Sequence, residues 1–125
     1  MTIEFNVDSH NDILITFVTG KFDFSKMVKV IKMTLDRCRE KNLPRALIDV
    51  AQLENLDIRI LENYSFSRDL ANEWASLVKM CIVYDHQFLA EMKEEAKEGP
   101  EGWVMMTTNK NQSVFWLLAN GPSAN

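Results

Sequence analysis

Hydrophobic and polar positions alternate from the start of the chain: Ile3, Phe5 and Val7 fall on one side, Thr2, Glu4 and Asn6 on the other. A period of two is the mark of a half-buried strand, expected here over residues 2–7. The polar stretch Asp8, Ser9, His10, Asn11, Asp12 reads as a turn, and the β-branched and aromatic run over 13–19 as a second strand, ended by Gly20. So short a connection makes the two strands an antiparallel hairpin. From Phe24 the period changes. Met27, Val28, Ile31, Leu35 and Cys38 recur at intervals of three and four, so residues 24–41 are expected to form an amphipathic helix, capped by Asp23 or Ser25 and stopped at Asn42, Leu43 and Pro44.

The rest of the chain alternates strand and helix. Residues 45–50 read as a short buried strand. Asp57 is placed to cap a second helix reaching Trp74, with Ile60, Tyr64, Ala71 and Trp74 on its core stripe. A strand over 77–84 precedes a weaker helix over 86–97, closed by Gly99, Pro100, Glu101 and Gly102. A last strand over 103–107 leads to Asn109 and Gln112, spaced as a capping box before the apolar run 114–118, which Asn120, Gly121 and Pro122 close. The order ββαβαβαβα predicts an α/β fold: a single domain over residues 1–125, with a mostly parallel five-stranded sheet, an antiparallel first strand and helices on both faces. Parallel strands covered on both faces require Ala46, Ile48, Cys81 and Val83 to be buried.

Composition narrows the classes of function. With 46% hydrophobic and 26% charged residues, 125 residues can bury a core that needs neither disulfide nor metal. The two cysteines, Cys38 and Cys81, lack a C-x-x-C spacing and are expected to be reduced and buried. A net charge of −4 weighs against nucleic acid, since phosphate binding depends on concentrated Lys and Arg. The apolar runs 13–18 and 114–119 fall short of the roughly 20 residues of a membrane span, and MTIEFNVDSH lacks a basic segment followed by an apolar one. A cytoplasmic protein without a membrane span is expected.

In open parallel sheets ligands bind beyond the carboxyl ends of the strands, where this chain places Lys21, Asp23, Asp49, Asp85, His86, Thr107, Thr108 and Lys110. Acids, a Thr and a Lys at strand ends suit a phospho-acceptor aspartate, but Gly-Lys-Phe-Asp after the first parallel strand offers no acidic pair for Mg²⁺. Asp49, Asp85 and His86 remain the polar candidates. Asp85 and His86 could pair for acid–base work, yet adjacent side chains diverge and no nucleophile is placed with them; a helix start at Asp85 with His86 solvated is the simpler account. His10 falls in the hairpin turn. Metal-ligand spacing, a glycine-rich phosphate loop and a G-x-S-x-G elbow are all missing among four glycines, so no cofactor, no metal and no familiar enzyme is expected.

Two apolar sites stand out. Met27, Met80, Met105 and Trp74 already face the core, whereas Phe88 and Met92 sit on the weakest helix, where a lid over an apolar pocket would lie. Advancing 100° per residue from Ile60, Ile58 and Phe66 fall opposite the core stripe, flanking Glu62, and Met33 points away from the stripe of the first helix. Together they form the expected contact patch for a partner protein or a second copy.

The text ILITFVTGKFDF running into a helix, then RALIDVAQL, then VKMCIVYD, then WVMMTT leading into SVFWLL with its Trp116-Leu117 pair, resembles the SpoIIAA-like proteins, the small stand-alone branch of the STAS fold. The resemblance covers nearly the whole chain. It implies a mixed sheet with an antiparallel first strand, and a regulator or binding module instead of an enzyme. In the anti-sigma-factor antagonists of this fold, a Ser or Thr after the third strand accepts phosphate within a D-[ST]-[ST]-G-like motif; here residues 51–58 read AQLENLDI, with neither hydroxyl nor glycine. Ser113 stands where relatives usually have Ala, and Ser65 and Ser67 are expected inside the second helix, too far from its start to take over the switch. Two classes of function follow: a non-enzymatic regulatory or protein-interaction module, or a carrier or sensor for a small apolar or lipid-like ligand.

Overall fold

A computed structural model describes residues 1–119. The hairpin forms as expected, β1 (Thr2–Asp8) lying antiparallel to β2 (Ile13–Lys21). Its turn is held by Asp8, whose carboxylate accepts from His10 N (3.1 Å), Asn11 N (3.2 Å) and Asn11 Nδ2 (2.9 Å). Gly20 adopts φ +98°, and a β-carbon there would sit 3.3 Å from the Met1 backbone, so the strand end suits only glycine.

Helix α1 (Phe24–Glu40) begins where Asp23 accepts from Lys26 N at 3.0 Å and buries Met27, Val30, Ile31, Thr34, Leu35 and Cys38. The left-handed Asn42 then lets Leu43 N reach the Cys38 carbonyl at 2.8 Å and ends it. Strand β3 (Arg45–Glu54) runs further than expected. β4 (Lys79–Val83) and β6 (Val104–Thr107) complete a parallel core β2, β3, β4, β6. Ala46, Ile48, Cys81 and Val83 are all buried in it.

The expected helix over 57–74 is two helices, α2 (Ile58–Ser65) and α3 (Arg68–Trp74). Asp57 caps the first, and Ser67 caps the second by accepting from Leu70 N at 3.2 Å. A serine hydroxyl that competes for the backbone breaks the run at Phe66–Ser67, so Ser67 is not interior to a helix. The break also resets the helical phase: α2 buries Ile58, Leu61, Glu62 and Ser65, the i, i+3, i+4, i+7 stripe, while Ile60 and Tyr64 are half-buried.

The expected helix over 86–97 is replaced by a 3₁₀ turn His86–Phe88, a single turn α4 (Leu89–Met92) and a short strand β5 (Ala96–Glu98). Lys93 at φ 67° stops α4, and β5 pairs antiparallel with β6, whose outer edge would otherwise be unpaired. The sheet therefore has six strands, in the order β1-β2-β3-β4-β6-β5. Helix α5 (Lys110–Leu118) follows a cap by Asn109, which accepts from Gln112 N at 3.0 Å; the closing Asn120, Gly121 and Pro122 lie outside the described residues.

Alternation along the strands sorts the core into two layers. Leu14, Val18, Ile48, Val50, Met80, Ile82, Val104 and Met106 pack under α1, α2 and α3. Ile13, Leu47, Cys81, Val83 and Met105 pack with Leu117 of α5. The mixed, mostly parallel sheet covered on both faces is the α/β architecture expected. Among the described residues no helix is long and apolar enough to cross a membrane.

Candidate functional site

At the carboxyl ends of the central strands, three of the residues named from the sequence converge. Asp49 follows Leu47 in pointing toward the α5 side and is buried; Oδ1 accepts from Ala51 N (3.0 Å) and Oδ2 from Lys110 Nζ (3.5 Å). The buried Thr107 hydroxyl accepts from Asn109 N (3.1 Å) and donates to Gln112 Oε1 (3.3 Å). These bonds fasten the start of α5 to the sheet and leave no nucleophile beside a free base. Lys110 is largely exposed, so its ion pair with Asp49 is screened and contributes little. Asp85 lies outside this network, its carboxylate accepting from Gln87 N at 2.8 Å, and His86 is exposed. Among the described residues no group of His, Cys, Asp and Glu could hold a metal ion.

The expected contact patch on the second helix is corrected by the structure. Ile58 is 1% exposed because the phase of α2 is its own and not that of α3. Glu62 is buried and takes Lys97 at 2.8 Å and Arg59 at 3.7 Å, tying α2 to β5. Phe66 is half-buried against Gly99, where a β-carbon would come within 2.7 Å of its ring. Only Met33 is exposed as expected, at 39%. The pocket reading fares similarly: Met92 is buried in the main core with Phe88 packed against it, so both fill space instead of lining it.

Burial governs the thiols too. Desolvation pushes Cys38 up to about 12 and Cys81 higher still, and both are free and buried. Tyr84 is raised by burial, then by the Glu62 and Glu95 carboxylates, and its hydroxyl donates to the Glu94 carbonyl at 3.2 Å.

Two features escaped the sequence reading. One is a cleft of about 480 Å³ at the amino ends of β3 and β4, bordered by Pro44, Arg45, Leu77, Lys79, Trp103 and Ala119. The other is the outer side of α5. Ser113 and Leu117 face the sheet, and Trp116 lies along the flank with Nε1 donating to Glu98 Oε1 (2.6 Å) and Lys79 Nζ 4.2 Å from its ring. Phe115 and Leu118 then project into solvent, 78% and 42% exposed. The signal was present: an unbroken apolar run, Val114 to Leu118, cannot be buried on one face of a helix.

The architecture is a single α/β domain, a mixed and mostly parallel sheet flanked by helices on both faces. No family model matches the chain, and no curated protein matches it. Among solved structures it is similar to the crystal structure of an uncharacterized protein from the DUF3478 family with a SpoIIAA-like fold from Shewanella loihica PV-4, at 16% identity over 93% of this chain and 92% of that chain, with a TM-score of 0.48.

Proposed function

We propose that the chain is a non-enzymatic interaction module of the regulatory kind, which docks on a partner protein or a second copy through the outer side of α5. The observation that carries this reading is the exposure of Phe115 with Leu118 one turn on. An aromatic and a leucine side by side, with the uncharged Asn111 and Gln112 on the preceding turn, have the make-up of an interface centre, where aromatic anchors dominate the binding energy and charge is depleted. The lack of a nucleophile–base pair in the strand-end network supports a non-catalytic role.

The double substitution Phe115→Ser/Leu118→Ser tests it. Sedimentation velocity across a concentration series reads self-association, and crosslinking with mass spectrometry in the cell of origin reads a partner. Wild type should form one such complex and the variant should lose it while remaining folded. A complex that survives the double substitution, or no complex in either experiment, contradicts the reading. The carrier reading has less support, because Phe88 and Met92 are packed into the core.

A further inference from the structure

The cleft lies at the opposite end of the strands from the Asp49 network, and two cations meet there. Arg45 Nε donates to Leu117 O at 2.9 Å and Nη1 to Asn11 O at 3.0 Å. Lys79 Nζ donates to Trp116 O at 2.6 Å and, weakly, to Ala119 O at 3.4 Å. Both complement the negative end of the α5 dipole. That role leaves capacity over: a guanidinium has five N–H donors and an ammonium three. Burial lowers the pKa of Lys79, the Glu98 carboxylate opposes that, and the Arg45 charge adds to it, so a further anion would be welcome there. Glu101, exposed, is the sole carboxylate among the described lining residues.

Part of the wall is apolar. Pro44, Leu77, Val78 and Trp103 border the cavity, and Leu77 is 50% exposed. The ring of Trp103 is buried, and its Nε1–H has no acceptor among the described residues.

We infer that this cleft binds a small organic carboxylate, the carboxylate held between Arg45 and Lys79 and an apolar body of roughly ten to fifteen heavy atoms lying against Leu77 and Trp103. The site is independent of the α5 docking face, and neither reading requires the other.

The probe is 4-phenylbutyrate, with 4-phenylbutanol (the same body, uncharged) and butyrate (the same charge, no ring) as controls, followed by ¹H–¹⁵N correlation spectra. The expected result is a saturable shift of the Trp103 indole N–H and of the Leu77 and Ala119 amides, with a dissociation constant on the order of 1 mM. Each control should bind at least about tenfold more weakly, as should Lys79→Met against the acid. Because Lys79 also supports α5, Leu77→Gln serves as the second variant: its side chain is half in solvent, so the fold stays intact while the apolar wall is lost and binding weakens severalfold. No saturable shift at these positions up to about 20 mM overturns the inference. So does an alcohol that binds as well as the acid, or binding that both variants leave unchanged.

Discussion

The two faces of the sheet are covered unequally. One carries α1, α2 and α3 over a core that runs from Leu14 to Met106. The other carries α5 alone over Ile13, Leu47, Cys81, Val83 and Met105. The thick face turns most of its apolar residues inward, leaving Phe24 and Met33 of α1 only moderately exposed at 36% and 39%, and its polar pair is matched, the Thr16 and Thr34 hydroxyls lying 2.9 Å apart with Thr34 also donating to the Val30 carbonyl at 2.8 Å. The thin face ends in a helix that has more apolar residues than the sheet can take. Stability should therefore concentrate on the first face and contact with other molecules on the second.

The largest expected effect is on the thick face. Ile48→Ala should cost about 3–5 kcal/mol, whereas Leu117→Ala, under a single short helix that can settle into the gap, should cost about 2–3 kcal/mol. Urea denaturation of both variants checks the order, and equal losses would break the comparison. Next comes the buried hydroxyl pair. Thr34→Val leaves the Thr16 hydroxyl without its acceptor and should cost about 1–3 kcal/mol, while the double change Thr16→Val/Thr34→Val should cost less than the sum of the single changes. An additive cycle would show that the two hydroxyls do not interact.

Each face also holds one thiol, and pH tests both. The folded pKa of Cys38 (about 12) and that of Cys81 lie above the unfolded value of 9.0. Their contribution to stability is complete below pH 9.0 and is lost as pH rises toward the folded values, at up to about 1.4 kcal/mol per thiol per pH unit. Thermal melts between neutral and alkaline pH, with Cys38→Ala and Cys81→Ala as controls, should show a shallower alkaline decline in each variant. The smallest effect on stability is expected at Phe115→Ser, within about 0.5 kcal/mol. A larger loss would mean that this ring packs on the protein in solution.

What could be read from the sequence follows the same division. The hairpin, α1 and the parallel strands were legible because their periods run unbroken and Asp23 marks the helix start. The α2–α3 break was not, because one hydroxyl, Ser67, decides it, and the error moved Ile58 from the core to the surface. Strand β5 has three residues, two of them charged, and exists because β6 offers it an edge. For the site, Asp49, Thr107 and Lys110 were named as strand-end groups, but a contact between residues 61 positions apart, such as Asp49 with Lys110, is set by tertiary packing and has no local signature.

The claim that contact belongs to the thin face is tested most directly by placing one charge on each exposed apolar site, Phe115→Glu on α5 and Met33→Glu on α1, and comparing complex formation with wild type by sedimentation velocity, alone and with any partner captured by crosslinking. Phe115→Glu should abolish the complex and Met33→Glu should leave it intact. Loss of the complex with Met33→Glu and its survival with Phe115→Glu would contradict the account.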